Sequence, residues 1–424
     1  MSSIKLQPVN QFKHLWRRLS INRQRAHPVA LTMLVLSCGV SPVHAQRAAF
    51  DASRYNPAVL HVRFTPAEGR TTSDQSDAFL DLTLIPASGA VEGVRSELST
   101  VAFQRQLTQL YQQLSRQESL RVEDPSSPSR QLHELMFAGL SDVIRREKIT
   151  TLLILADRGL QAVPFAALSD GKRFFGDRFA FAITPSLALM DFESQPINQD
   201  RMLALGASEF RDLSDLPLVP QEIRRIGDPD KKDLYLNQEF TLDALLDKGG
   251  EPRYNQLHVA THAEFKPGGP ASSQLHSGVG PVSMKELAKL RSKRQGVPLD
   301  LVVFSACRTA LGDADAELGF SGLALQAGAR SAVGTLWYVD DVATSAYFVL
   351  MYRYLDQGVP KADAMQLTRQ AFLRGQVRLI DDQLLGPDDQ PLLTELTPTQ
   401  QRRVRQGLQN PFYWAGISLM GAPW

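Results

Sequence analysis

The chain has 424 residues, and its 46 basic and 45 acidic side chains give a formal net charge of +1. The hydrophobic fraction of 43% and the charged fraction of 21% are typical of a chain that folds around a core, and they exclude an intrinsically disordered protein. This length permits two or three domains but also fits one large α/β domain, and we find no internal repeat of solenoid length.

The first 45 residues contain basic side chains and no acidic ones. A largely apolar run, Pro28 to Val40, follows the basic region, and Val43 and Ala45 then form a small-residue cleavage pattern. This order predicts a secretory signal peptide over residues 1–45. The apolar run is shorter than the roughly 20 residues of a spanning helix. A membrane anchor or a misassigned start are the alternatives, and the sequence around Cys38 weakly resembles a lipoprotein cleavage box.

Export would change the charge and the cysteine content. Removal of six basic residues takes the formal net charge from +1 to about −5, which gives no reason to expect a nucleic acid as partner. Of the two cysteines, Cys38 would leave with the signal peptide, and Cys307 would be the only thiol of a periplasmic or secreted protein. Exported proteins usually pair their thiols, so a single one is either buried and inert or kept free for chemistry.

The region after the predicted signal peptide, residues 46–150, begins with a β-hairpin. Ala58–Phe64 and Ala78–Pro86 alternate apolar and polar residues, and a polar loop separates them. Apolar residues then recur at helical spacing from Ser99 to Gln117, and a second helix is predicted from Arg130 to Arg146. We expect these elements to form an integral flank of one domain.

Residues 151–424 alternate buried strands with helices, which predicts an α/β fold with a mostly parallel central sheet and helices on both faces. Trp337 lies at the end of one predicted strand, and Asp341 is placed to cap the helix that follows, up to Leu355. The predicted strands are Thr150–Asp157, Phe179–Ser186, Arg201–Glu209, Leu234–Thr241, Leu257–His262, Leu299–Cys307, Arg330–Val339 and Tyr413–Gly421.

Two of these strands end in a reactive residue. LHVATH ends at His262 and LVVFSAC ends at Cys307. Ligands of a parallel sheet bind outside the carboxyl ends of its strands. If the two strands are neighbours, the imidazole can act as a base toward the thiol, whose thiolate is the nucleophilic form. Each residue alone is weak evidence, because a histidine at a strand end is usually structural and an unpaired thiol is usually a small core residue.

The other histidines do not suggest a metal site. His61 and His133 are predicted at surface or half-buried positions of a strand and a helix. His258 and His262 share one face of a strand but lie about 13 Å apart at roughly 3.3 Å per residue, too far for one ion. The sequence therefore predicts no metal.

Several long blocks occur in one order along the chain: LHVATHAEF, then LVVFSACRTALGDADAELGFSGLALQAGARSAVGTLWYVDD and its continuation, then NPFYWAGISLMGAPW. They resemble the CHAT domain, a caspase-like cysteine peptidase family often attached to tetratricopeptide repeats. Leu152–Gly171 and Ile183–Met190 resemble its earlier blocks. The resemblance runs from about residue 58 to the end and implies a caspase-like fold with no cofactor.

The resemblance also implies site residues. A histidine and then a cysteine on adjacent parallel strands form the family's catalytic dyad, which corresponds to His262 and Cys307. The backbone N–H groups of Ala263 and Cys307 correspond to the oxyanion hole. The family usually has glycine or another small residue at position 263. Two departures are the lack of a tetratricopeptide segment and the export signal of a family thought of as intracellular.

Residues around the cysteine are candidates for substrate binding. Arg308 follows the nucleophile, and it either steers substrate or is an ordinary turn residue. Asp313 and Asp315 lie in the next loop, where an acid could select a basic side chain before the scissile bond. The alternative is a solvated loop or a helix cap. Trp337 either forms a pocket wall or covers the sheet.

These observations predict an exported caspase-like cysteine endopeptidase that acts on a protein or peptide substrate. A separate regulatory or repeat-containing protein is a candidate partner, and no membrane span is expected after removal of the signal peptide. The rival hypotheses are a catalytically silent interaction module and a different thiol chemistry such as acyl transfer.

Overall fold

A computed structural model describes the chain from residue 56 onward, except for residues 68–75, 158, 185, 188–200, 265–271, 308–318 and 338–339 and the side chains of 306, 307, 319 and 320. The strands are β1 (Pro57–Pro66), β2 (Ala78–Pro86), β3 (Glu92–Leu98), β4 (Thr151–Ala156), β5 (Ala180–Thr184), β6 (Met202–Gly206), β7 (Lys232–Leu236), β8 (Gln256–Glu264), β9 (Gln274–Ser277), β10 (Gly280–Ser283), β11 (Leu299–Cys307), β12 (Ala329–Thr335), β13 (Arg378–Ile380), β14 (Gln383–Leu385), β15 (Pro391–Leu393) and β16 (Ile417–Gly421).

Helices connect these strands. They are α1 (Thr100–Ser115), α2 (Pro128–Phe137), α3 (Ser141–Arg146), α4 (Phe175–Arg178), α5 (Val219–Arg225), α6 (Ala288–Lys293), α7 (Gly319–Gln326), α8 (Asp341–Asp356), α9 (Lys361–Leu373) and α10 (Pro398–Val404). In the described part of the chain, none of them is long and apolar enough to cross a membrane.

One large sheet organises the molecule, in the order β7-β6-β8-β11-β12-β16-β5-β4-β1-β2-β3. The strands from β7 to β12 are parallel to one another, and so are β16, β5, β4 and β1. These two blocks run in opposite directions, because β12 and β16 pair antiparallel. The carboxyl ends of β8 and β11 therefore lie at one edge of the sheet, and those of β4 and β5 lie at the opposite edge. The predicted α/β class with a largely parallel sheet is confirmed.

The central strands are buried on both faces. Every residue of β5 and β6 is buried, and all but one residue of β4 is. Helices cover both faces of a parallel sheet, so its strands are continuous apolar runs. This is the pattern that made them visible in the sequence.

The predicted hairpin belongs to the same sheet. β1 pairs antiparallel with β2 and parallel with β4, with Val59 opposite Ile85 on one side and Leu153 on the other. A third antiparallel strand, β3, follows at the sheet edge and was not predicted. Its sequence EGVRSEL carries three charges on exposed or half-exposed positions, which is how proteins protect an edge strand from further pairing.

The predicted helix over Ser99–Gln117 is α1, and its N-cap is Ser99. The second predicted helix is divided into α2 and α3 by a 3₁₀ turn at Ala138–Leu140. The prediction for His133 is wrong, since its side chain faces the core beside Phe137 and is only 6% exposed. Burial lowers its pKa from 6.5 to about 4, so this histidine is neutral at pH 7.

The N-cap of α8 also differs from the prediction. Asp340, not Asp341, accepts hydrogen bonds from the N–H groups of Val342 and Ala343, at 3.0 and 3.2 Å. Asp341 is the first helical residue. Two consecutive aspartates are equally good caps by residue type, and the extended backbone of Asp340 (φ −60°, ψ 133°) decides between them.

Candidate active site

The two strands that end in a reactive residue are neighbours. β8 and β11 pair in parallel over seven positions, and the last pair in the register is His262 with Cys307. Adjacent strands lie about 4.8 Å apart. Residues at one level of a parallel pair therefore share a face of the sheet, and the register brings a histidine and a cysteine side by side at the carboxyl edge.

Core packing identifies that face. Alternate residues of β11 divide between two clusters, with Leu301 and Val303 in one and Val302 and Phe304 in the other. The first cluster includes side chains of α5 and α8. Because strand residues alternate between faces, Ser305 follows Val303 on the α5–α8 side. Ala260 of β8 belongs to the same cluster, so His262 follows it on this side.

A backbone carbonyl holds the His262 ring. Its Nε2 atom lies 2.7 Å from the carbonyl oxygen of Ser214. A carbonyl only accepts hydrogen bonds, so Nε2 carries a proton. In the neutral imidazole the other nitrogen, Nδ1, is then the basic one. The carbonyl thus orients the imidazole without an aspartate.

The loop that carries this carbonyl, residues 207–217, is tied together by short-range contacts. It follows β6, a parallel neighbour of β8, and therefore rises at the same edge of the sheet. Leu216 N–H donates to the Ser208 carbonyl at 2.9 Å, and Phe210 N–H donates to the Asp215 carboxylate at 3.1 Å. The Phe210 ring packs on the His262 ring, with centroids 4.8 Å apart. The loop thus restrains the imidazole by one hydrogen bond and one ring contact.

A second set of contacts anchors the loop to the sheet. Ser208 donates through its N–H and its hydroxyl to Asn237 Oδ1, at 2.8 and 3.1 Å. Asn237 adopts a left-handed backbone (φ +51°), which asparagine tolerates better than most residues. Its carbonyl would lie 1.7 Å from a Cβ at Gly278, so the turn between β9 and β10 needs glycine there.

Strand β8 continues past the position where the sequence predicts its end. Ala263 and Glu264 pair antiparallel with Leu275 and Gln274 of β9. Ala263 is 5% exposed and lies directly after His262. The extra length comes from β9, a partner about ten residues away that local periodicity does not reveal.

A buried polar network lies behind His262 on the same strand face. His258 Nε2 is 2.9 Å from Glu222 Oε1, and the Ser345 hydroxyl donates to Glu222 Oε2 at 2.6 Å. All three side chains are nearly inaccessible to solvent, and the rings of Phe348 and Tyr352 flank the imidazole. This pairing explains His258 without a metal. The described residues hold no group of three or more metal ligands.

A small cavity lies in front of this network, at the carboxyl edge of β8 and β11. Its lining comes from both strands, from the start of α5 with the preceding loop, and from the first turns of α8. The lining residues are Leu216, Leu218, Val219, Glu222, Thr261, Ser305, Asp341, Thr344 and Ser345.

One known protein family matches this chain. The CHAT domain matches residues 126–422, which is most of the chain. The chain belongs to the CHAT-domain family. No curated protein matches it in sequence. The resemblance seen in the sequence is thereby confirmed, and the strands β1 to β3 and helix α1 precede the matched region while forming part of the same sheet and core.

A solved structure shares the fold. The Saccharomyces cerevisiae separase–securin complex matches with a TM-score of 0.53 and 12% identity, covering 88% of this chain. This CHAT chain spans only 30% of that separase chain. The Arg-specific cysteine proteinase gingipain R of Porphyromonas gingivalis is less similar, with a TM-score of 0.40 and 9% identity over 68% of each chain. The caspase-like fold class predicted for the CHAT domain is confirmed.

The remaining predicted site residues divide into two groups. Arg308, Asp313 and Asp315 lie outside the described residues. Trp337 is described and is 5% exposed. Its Nε1 donates to the Phe412 carbonyl at 3.0 Å, and its ring meets Tyr111 edge to face at 5.7 Å. In this CHAT domain Trp337 thus packs in the core next to the sheet edge.

Other residues at the site of this CHAT domain were not found from the sequence. Ser214 contributes only a backbone carbonyl, which any residue type could supply. Phe210 and Glu222 lie in segments whose residue types carry no motif. Arg403 of α10 pairs with Asp340 and Asp341, at 3.2 and 2.8 Å, from more than 60 residues away in sequence. Only the tertiary structure brings Ser214 and Phe210 to His262, Glu222 to His258 and Arg403 to Asp341.

Proposed function

We propose that this CHAT-domain protein is an exported cysteine endopeptidase in which Cys307 is the nucleophile and His262 the general base. The observation that carries the proposal is the parallel register that pairs His262 with Cys307 at the carboxyl ends of β8 and β11. Nucleophilic catalysis by a thiol requires a base within reach of it, and this register makes His262 the candidate base for Cys307.

The proposed reaction has two stages. His262 Nδ1 removes the thiol proton, and the Cys307 thiolate attacks the carbonyl carbon of the scissile peptide bond. The tetrahedral intermediate collapses when the C–N bond breaks, and the imidazolium returns the proton to the leaving amine. Water, activated by the same imidazole, then attacks the thioester and releases the carboxylic acid product and the free thiol. No cofactor takes part.

The contact with Ser214 supports the role of His262. Its carbonyl fixes the proton on Nε2 and leaves Nδ1 as the base. When the imidazole takes up the thiol proton, the carbonyl still accepts from Nε2–H and stabilises the cation. We propose the N–H groups of Ala263 and Cys307 as donors to the oxyanion, where preorganised donors are worth about 10²–10³ in kcat.

Export and partners belong to the proposal. Residues 1–45 would direct the chain to the periplasm or beyond the cell, where oxidation of the single remaining thiol is a hazard. The substrate is a protein or peptide. The separase structure that shares this fold is a complex with securin, and we propose that this chain also binds a separate protein, which regulates it.

Comparison of protein termini tests the function. Host-cell envelope extracts are incubated with the wild-type protein or with Cys307→Ala, and new N-termini are identified by mass spectrometry. We expect a set of new termini with the wild type that is absent with Cys307→Ala. Cysteine and alanine are both small, so the variant should remain folded, and its thermal unfolding serves as the control. Identical termini in the two samples would leave only the silent interaction module.

A further inference from the structure

We propose that the cavity beside His262 receives the substrate side chain that precedes the scissile bond, and that it selects a small uncharged side chain. The proposal rests on the peptidase function proposed above. The cavity touches both catalytic strands, through Thr261 next to His262 and Ser305 two residues before Cys307. Its lining also includes Leu216, which lies two residues after Ser214, whose carbonyl holds the imidazole. A side chain next to the reacting carbonyl would therefore enter here.

The size of the cavity limits what it accepts. Its volume is about 30 Å³. On this measure one water molecule needs roughly 10–15 Å³, so the cavity holds about two or three heavy atoms. Serine, threonine and valine have side chains of this size, and alanine is smaller still. Arginine, lysine and aromatic side chains exceed this volume, so they fit less well than the small ones.

Most of the wall residues are apolar or carry hydroxyl groups. Leu218 and Val219, where α5 begins, are apolar. Ser305 and Thr344 carry hydroxyl groups. Such a lining favours a small apolar or hydroxyl-bearing side chain by contact and burial.

Two carboxylates also line the cavity, and the first is already satisfied. Glu222 is 1% exposed, and its two oxygens accept from Ser345 and face His258, at 2.6 and 2.9 Å. Neither oxygen is available to a substrate cation unless these contacts break. Because breaking a buried charged hydrogen bond is costly, Glu222 acts as part of the cavity wall.

The second carboxylate is paired with an arginine of the chain itself. Arg403 Nη2 lies 2.8 Å from Asp341 Oδ1, and Nη1 lies 3.2 Å from Asp340 Oδ2. A substrate lysine or arginine would have to displace this guanidinium. Arg403 is therefore a specificity-determining residue, because it neutralises the acid that would otherwise attract a basic side chain.

Peptide hydrolysis tests the proposal. Fluorogenic peptide amides that differ only in the residue before the scissile bond (Ala, Ser, Val, Leu, Phe, Asp, Lys or Arg) are given to the full chain. We expect kcat/KM for Ala, Ser or Val to exceed that for Lys and Arg at least tenfold. In Arg403→Met, which frees Asp341, we expect the ratio of Arg to Val to rise at least fivefold. The exposed neighbour Arg402→Met is the matched control and should keep the wild-type ratio.

Several results of these experiments would contradict the inference or the proposed function. If the wild type prefers Lys, Arg, Asp or Phe before the scissile bond, the inference is overturned while the peptidase function stands. A preference for Lys or Arg would instead point to the loop of Asp313 and Asp315 as the specificity site. An unchanged ratio in Arg403→Met would also overturn the inference. If no peptide is cleaved, and if iodoacetamide alkylates Cys307 at the same rate in His262→Ala as in the wild type, the proposed function fails. The inference then fails with it.

Discussion

Replacement of His262 by alanine is expected to lower kcat/KM for peptide hydrolysis by about 10²–10⁴, the range that general acid–base catalysis supplies. The loss follows because the thiol then has no base beside it and the leaving amine no proton donor. His262 is half-buried, and among the described residues its ring contacts the Ser214 carbonyl and the Phe210 ring, both in the loop after β6. The fold should therefore survive the change.

A second histidine provides the control for this experiment. His61 lies in β1, in the other parallel block, and its Nε2 is 3.4 Å from Asp157. We expect His61→Ala to hydrolyse the same peptides at the wild-type rate. Equal kcat/KM in His262→Ala and His61→Ala would show that His262 takes no part in the reaction.

Arg294→Met is expected to lower the free energy of unfolding by about 3 kcal/mol or more, because a buried carbonyl left without a donor costs about 1–3 kcal/mol. Arg294 is 1% exposed, at the end of α6. Its guanidinium makes five hydrogen bonds of 2.7–3.2 Å, all to backbone carbonyls. The acceptors are the carbonyls of Gly249, Glu251, Tyr254, Val297 and Pro298.

Urea unfolding followed by tryptophan fluorescence measures this effect. The matched control is Arg291→Met on the same helix, whose exposed side chain makes one 3.5 Å contact with the Gln326 carbonyl. We expect the midpoint of the control to stay within experimental error of the wild type. A midpoint for Arg294→Met that equals that of Arg291→Met would mean that the five carbonyls find other partners at little cost.

The strands that build the site could be predicted because burial gives them a simple pattern. Leu299–Cys307 is predicted and observed with the same bounds, since a short apolar run of this kind is typical of a buried strand. The sequence could not show that β8 and β11 are neighbours, because pairing depends on the spatial order of the strands in the sheet. The register in the structure supplies what the sequence left open.

Elements that bury charged residues were not predicted from the sequence. No helix is predicted over α9, yet Lys361 and Arg369 of that helix are 3% and 0% exposed. Lys361 Nζ bonds Asp300 and the Ser331 hydroxyl, both at 3.0 Å, and the Arg369 guanidinium lies 4.7 Å from the Phe181 ring centroid. Hydrophobic periodicity counts such residues as solvent-facing, although partners from distant strands allow them to be buried.

The candidate site shows the same division. His262 and Cys307 were predicted because each ends an apolar strand. Ser214, Glu222 and Arg403 were not, because their roles depend on a carbonyl position, a buried network and an ion pair between distant helices. The residue type reveals the chemistry of a histidine or a cysteine, whereas the roles of Ser214, Glu222 and Arg403 depend on where the fold places them.

Alkylation of Cys307 by iodoacetamide from pH 5 to pH 9, followed by mass spectrometry, tests directly whether His262 activates the Cys307 thiol. In the wild type, transfer of the thiol proton to His262 favours the thiolate, so we predict rapid modification well below the ordinary thiol pKa of about 8.5. In His262→Ala the rate should fall at least tenfold at pH 6.5 and rise only as the pH approaches that value. Identical slow profiles in the two proteins would contradict the dyad and, with it, the proposed peptidase.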